Sequence, residues 1–140
     1  MNYKNIIDGF DWIEHKKIKS HEEYITEKYN ELYNYFISGN TMIPAIIICS
    51  KTFVIIDGHH RFSVMTRLKI DKIPCLLINY FDSTIVVNPD NRKITKESVI
   101  NAAISNNLLP PKSTKHVLLD HFNKFHPIEI LSPMVSIIIK

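Results

Sequence analysis

Asp57-Gly58-His59-His60-Arg61 follows directly on the apolar run Phe53-Val54-Ile55-Ile56. The pattern reads as a buried strand that ends in a tight turn and opens a short helix. Such a junction is a place to hold phosphate. The first N–H groups of a helix have no intrahelical partner, the helix dipole adds partial positive charge there, and arginine supplies a planar fork for phosphate oxygens. Gly58 lets the backbone turn sharply and approach an anion closely. The plainer alternative makes Asp57 a helix cap and leaves His59, His60 and Arg61 as a solvated face. Capping alone does not call for two histidines and an arginine, which favours anion binding.

Two further clusters carry reactive groups. Ser20-His21-Glu22-Glu23 fits a capping box in which Ser20 starts a helix and Glu23 reaches back to it. That leaves Glu22 to project from the helix entrance, where a carboxylate can take a proton from a hydroxyl within hydrogen-bond reach. A surface acid favoured by the helix N-terminus is the alternative. Lys112-Ser113-Thr114-Lys115-His116 follows Pro110 and Pro111, so a stiffened loop presents cations, hydroxyls and an imidazole to an anionic ligand, or else forms an ordinary basic turn. Seven histidines raise the question of a metal. No His-x-x-x-His pair or zinc-type Cys/His spacing is present, and adjacent histidines diverge by roughly 100° on a helix. A dedicated zinc or iron site is not expected. A Mg²⁺ ion held mainly by substrate phosphates and one carboxylate fits better.

These clusters need elements to place them. Trp12 to Lys19 alternates imperfectly and predicts a first strand. The apolar spacing of Ile25, Tyr29, Leu32, Tyr33, Phe36 and Ile37 predicts a helix from the Ser20 cap to about Ser38, stopped by Gly39-Asn40. Pro44–Cys49 and Phe53–Ile56 read as a hairpin across Ser50-Lys51-Thr52. His59 to about Leu68 reads as a short helix with the stripe Val64, Met65, Leu68, and Ile73–Tyr80 as a buried strand with Pro74 at its start. Thr84–Val87 predicts another strand. Thr95 caps a helix ended by Asn106-Asn107, the segment Leu108–His116 is an extended loop, and Val135–Ile139 a closing strand. The order predicts one α+β domain, residues 1–140, built on a mixed sheet flanked by short helices.

Composition excludes little but agrees. The chain has 140 residues, 45% hydrophobic and 22% charged, with a net charge of +3 dispersed among Asp and Glu. That is a globular balance rather than a disordered one, and a weak case for a polyanion partner. Cys49 and Cys75 lie in apolar runs and read as small core residues in a reducing compartment. No secretory h-region or membrane-length apolar stretch is visible, so a soluble cytoplasmic protein is expected.

Taken together, the clusters resemble the ParB/sulfiredoxin-like superfamily, whose phosphate-gripping turn Gly-x-x-Arg is Gly58-His59-His60-Arg61 here. Within it the chain is most similar to the free L-serine kinases. Three segments carry the resemblance, in the family order: His21-Glu22, Asp57 to Arg61, and Pro110-Pro111-Lys112-Ser113-Thr114-Lys115-His116. The resemblance implies a kinase moving a phosphoryl group from ATP or ADP, with Mg²⁺, to free L-serine or a similar small hydroxyl-bearing amino acid. It further implies that Glu22 is the general base, that Asp57 shares the catalytic centre, and that Asp57, Gly58, His59, His60 and Arg61 bind nucleotide phosphates. Thr114, Lys115 and His116 then hold the amino acid or the transferred group. Lys115 stands where the family has Arg, and an ammonium does not grip a carboxylate bidentately. The family's downstream Trp is also missing, since the single Trp is Trp12.

The second reading is a ParB-like nucleotide-binding regulator or nucleic-acid module without kinase activity. Dispersed charge and the lack of a helix-turn-helix pattern after Ile94 make nucleic acid an unfavoured partner. A sulfiredoxin-type reductase needs a cysteine at the phosphate turn, and neither Cys49 nor Cys75 is there.

Overall fold

Four consecutive buried residues, Ile46-Ile47-Ile48-Cys49, mark the centre of the molecule, because only a strand covered on both faces is apolar at every position. In the computed structural model, which describes residues 3–139, this strand lies in a mixed sheet. The sheet comprises β1 (Ile7–Glu14), β3 (Ile46–Cys49, the central run), β4 (Ile55–Asp57) and β5 (Lys72–Ile78), with β2 (Met42–Pro44) preceding the run in sequence. The sheet order is β1-β5-β3-β4: β5 is parallel to β3, while β1 and β4 are antiparallel to their neighbours.

Alternation along β3 divides the core in two. Ile46 and Ile48 face α1 (Thr26–Ile37) and α2 (His59–Arg67), packing with Phe36, Val64 and Met65. Ile47 and Cys49 face the other way, toward Val99 and Ile100 of α3 (Lys96–Ser105) and Leu118. That second layer is a small antiparallel sheet, β6 (Ile85–Val87), β7 (His116–Leu119) and β8 (Phe125–Pro127). The last strand, β9 (Met134–Ser136), pairs with β2. Both cysteines are buried and free, as a core role requires. Among the described residues no helix is long and apolar enough to cross a membrane.

The hairpin β3–β4, α2, the buried strand β5 and the Thr95 cap agree with the sequence pattern. Thr95 forms a capping box with Ser98: its Oγ1 accepts the Ser98 N–H at 3.1 Å, and Ser98 Oγ accepts the Thr95 N–H at 2.8 Å. Asn106, with φ 58°, ends α3 in the left-handed region.

Three expectations need correction. The first strand is Ile7–Glu14 rather than Trp12–Lys19, because β5 offers pairing partners from Ile78 back to Lys72 and the chain uses them all. Ser20 does not cap a helix. α1 starts at Thr26, since the N–H groups of His21, Glu23 and Ile25 are committed to the His59 ring, the Leu109 carbonyl and the His60 ring. Finally, the closing strand is Met134–Ser136, and the β7–β8 hairpin was not legible. Its turn is built by Asp120, whose Oδ1 accepts the N–H of Phe122 at 2.7 Å and of Lys124 at 3.0 Å.

Candidate active site

β4 ends at Asp57 and α2 begins at His59, so Gly58 must reverse the chain within one residue. Its φ of 109° lies where a side chain is strained, and a Cβ there would sit 2.6 Å from Ile46 Cγ2. No side chain caps α2, which leaves the N–H groups of its first turn directed outward. Arg61, one turn in, donates from Nη2 to Asp57 Oδ2 at 3.2 Å and to the Ala45 carbonyl at 3.3 Å. The guanidinium is thereby anchored beside the helix start.

The two histidines between them do something the sequence did not suggest. Nε2 of His59 accepts the His21 N–H at 3.3 Å, and Nε2 of His60 accepts the Ile25 N–H at 2.8 Å. Together they clamp the extended segment that carries Glu22. Burial holds the His59 imidazole well below its ordinary range, and nearby His21 and His116 act in the same direction. His60 is lowered by burial and by Lys28, Lys112 and Arg61. Both rings are therefore neutral acceptors. Positive charge at the helix start is therefore supplied by Arg61 and the helix N–H groups rather than by these imidazoles.

The clamped segment also meets the proline loop. Glu23 N–H donates to the Leu109 carbonyl at 2.9 Å, and Leu109 N–H donates to the His21 carbonyl at 2.8 Å, a parallel bridge with Glu22 between them. Beyond Pro110 and Pro111 the loop turns back over the carboxylate. Glu22 Oε1 accepts the Lys112 N–H, and Oε2 accepts the Thr114 hydroxyl at 2.5 Å and the Thr114 N–H at 3.3 Å. Burial pushes the Glu22 carboxyl above its ordinary value, with nearby Asp57 adding to it, against the opposing pull of these hydrogen bonds. Glu23, by contrast, is exposed. Asn88 fastens the end of the loop: its Oδ1 accepts the Lys115 N–H at 2.6 Å and its Nδ2 donates to the Ser113 carbonyl at 2.8 Å. His116 then enters β7, buried, with Tyr80 Oη 2.8 Å from its Nε2; burial brings its pKa down to about 3.

All nine residues singled out from the sequence, Glu22, Asp57, Gly58, His59, His60, Arg61, Thr114, Lys115 and His116, line one cavity of about 440 Å³. Lys28, Lys112 and Glu129 line it as well. Lys112 was legible as part of the loop, but Lys28 and Glu129 reach the cavity only through the packing of α1 and of the turn after β8, for which the sequence holds no local signal.

No protein-family model matches the chain. It is 34% identical over 90 residues to a ParB-like protein of Sulfolobus acidocaldarius, covering 64% of this chain and 45% of that protein. To the ATP-dependent L-serine kinase of Desulfurococcus mucosus it is 32% identical over 77 residues, covering 52% of this chain and 30% of the kinase. A free serine kinase solved in complex with AMP superposes with a TM-score of 0.51 at 20% identity, over 61% of this chain and 39% of the kinase. The matched part of the chain thus spans less than half the length of each of these proteins. The resemblance read from the three motifs holds in sequence and in three dimensions: the chain has the ParB/sulfiredoxin-like fold of the free serine kinases and is similar in sequence to a ParB-like protein and to L-serine kinases.

Proposed function

We propose that the chain is a small-molecule kinase that transfers a phosphoryl group from a nucleotide, ATP or ADP, to the hydroxyl of free L-serine or a similar small amino acid. One observation carries this reading. A buried carboxylate with raised proton affinity, Glu22, shares a cavity with an uncapped helix start flanked by Arg61. Phosphoryl transfer asks a protein for little covalent chemistry; it asks for positioning, a proton acceptor and positive charge at the phosphate oxygens. The similarity to ATP-dependent L-serine kinases and the fold shared with an AMP-bound free serine kinase support the same reading.

In this mechanism the α2 N–H groups and Arg61 hold the nucleotide phosphates, with Gly58 allowing close approach. His59 and His60 act from behind by fixing the extended segment that carries Glu22. Glu22 takes the proton of the attacking hydroxyl, and its raised proton affinity brings it nearer the working pH of a general base. Thr114, Lys115 and His116 form the wall for the amino acid, and Lys28 and Lys112 add positive charge around the transferred group. Among the described residues no group of three His, Cys, Asp or Glu side chains could cage a metal. A Mg²⁺ ion therefore fits as one carried by the nucleotide phosphates, with Asp57 as its protein carboxylate. When bound, it would offset charge on the phosphates.

The test is incubation with a panel of hydroxyl amino acids, Mg²⁺ and either ATP or ADP, with detection of the phosphorylated product. Glu22→Gln keeps the size of the side chain but not its basicity, so turnover should fall by about 100-fold or more. Glu23→Gln should have little effect. Similarity to the ParB-like protein favours a second reading, a nucleotide-binding regulator, which predicts nucleotide binding with no phosphorylated product in any arm.

A further inference from the structure

Counting hydrogens behind Glu22 gives an unequal result. Nδ1 of His21 lies 2.6 Å from the Ile55 carbonyl, which can only accept, so Nδ1 carries the ring hydrogen. The ring is fully buried, and burial brings its pKa down to about 4, so Nε2 is a bare acceptor at neutral pH. That Nε2 lies 2.9 Å from Thr114 Oγ1, and the same Oγ1 lies 2.5 Å from Glu22 Oε2. Thr114 has one hydrogen to share between two acceptors. With Glu22 ionised the carboxylate takes it, and Nε2 is left facing a lone pair. The string is one proton short.

A proton on Oε2 completes it. Oε2–H then donates to Thr114 Oγ1, and Thr114 turns its own hydrogen to Nε2 of His21. We propose that Glu22, Thr114 and His21 act as a single proton acceptor, in which His21 is the positioning residue that receives the Thr114 hydrogen once Glu22 has taken the proton of the attacking hydroxyl. This rests on the reading of Glu22 as general base. In the step, the substrate O–H bond breaks and Oε2–H forms. The substrate oxygen bonds to the phosphorus as the bond to the departing nucleotide breaks, its electron pair leaving with the nucleotide. The Thr114 hydroxyl only rotates. The added hydrogen bond exists only after proton transfer, so it favours the reaction without tightening substrate binding.

The surroundings keep other protons away from the string. The His59 ring packs edge-on to His21 at 4.4 Å and the His116 ring at 6.1 Å, both neutral. Around Glu22 the titratable neighbour is Asp57, and Lys112 meets the carboxylate through its backbone N–H. Lys28, Arg61 and Lys115 are the other cations lining the cavity, and Glu129 lines it as well.

His21→Asn removes the Nε2 acceptor and retains an amide donor for Ile55. The protonated form of Glu22 then loses its completed string. The acid limb of the kcat–pH profile should move to lower pH and kcat should fall about fivefold, the size of one neutral hydrogen bond, with KM unchanged. A readout independent of turnover is NMR of the resting protein. The His21 nitrogens should show the Nδ1–H tautomer, and the His21 ring and Glu22 carboxyl should titrate together in the parent and separately in Thr114→Val. The proposal is overturned by a protonated Nε2 at neutral pH, or by unchanged titrations in Thr114→Val. It is equally overturned if His21→Asn keeps the parent profile while Glu22→Gln is inactive. An active Glu22→Gln would instead remove the general-base reading, with the NMR titration still deciding whether the string exists.

Discussion

The backbone N–H of Ile25 donates to Nε2 of His60 at 2.8 Å, across 35 positions of sequence. An imidazole at the start of α2 is thus engaged in holding the extended segment that carries Glu22. His60→Ala should leave that N–H without its partner and loosen Glu22. We expect kcat to fall about tenfold while nucleotide affinity changes by less than about twofold, since a lost hydrogen-bond partner costs about 1 to 3 kcal/mol at the segment it held. A phosphate-binding His60 would give the opposite pattern, a loss of affinity in calorimetry.

The same neutral imidazoles make the fold sensitive to acid. His21, His59, His60 and His116 are all held below the ordinary histidine value by burial. The unfolded chain therefore binds protons that the folded chain refuses. Their contribution to stability is fully present above the unfolded value of about 6.5 and is lost as pH falls, through about 4 for His21 and about 3 for His116. His21 and His116 are each worth on the order of a few kcal/mol when fully titrated, against a total of about 5 to 15 kcal/mol for a domain. Glu22, held above its ordinary value, works in the opposite direction, since its contribution is lost as pH rises. Four groups outweigh one. Denaturant midpoints should fall steadily from pH 7 to pH 4.5, and a flat profile would mean that the rings are not buried neutral.

What the sequence disclosed depends on how local each determinant is. Val54 to Arg61 reads correctly because a strand, a glycine turn and a helix start are all encoded within a few residues, and Thr95-Ser98 caps α3 for the same reason. Ser20-Glu23 carries an equally good capping pattern and is no cap, because Leu109 and the α2 histidines compete for the N–H groups a helix would need. That competition comes from residues 35 to 86 positions away, beyond the reach of a local pattern. Lys28 at the cavity and the three-residue strand β8 were illegible for the same reason.

Gly58 tests the geometry of the helix start. A Cβ there would lie 2.6 Å from Ile46 Cγ2 and 2.9 Å from Arg61 Nη2, at a φ of 109°. Gly58→Ala should lose about 1 to 2 kcal/mol from the left-handed backbone and about 1 to 3 kcal/mol from overpacking. Because one clash is with the guanidinium, nucleotide affinity should fall along with the unfolding midpoint. A stable Gly58→Ala protein with parent affinity would show that the turn is looser than its geometry indicates.

Lys115 is the position at which substrate choice is most directly tested. Its backbone is fixed from both sides: its N–H donates to Asn88 Oδ1 at 2.6 Å, and its carbonyl accepts the Asn88 N–H at 2.9 Å. The side chain is exposed and lines the cavity, so substitution there changes the charged head without moving the loop. A point-charge ammonium binds a carboxylate with less geometric selectivity than a guanidinium fork. If this wall holds the amino-acid carboxylate, Lys115→Arg should lower KM for L-serine and Lys115→Ala should raise it, with nucleotide affinity nearly constant in both. Asn88→Ala, which frees the loop but keeps the ammonium, should raise KM as well. The measurement is a serine titration at saturating nucleotide, with calorimetry of the nucleotide in parallel. If both Lys115 variants leave the serine dependence untouched, the carboxylate is held elsewhere in the cavity, and the remaining cations, Lys28 and Lys112, become the positions to substitute next.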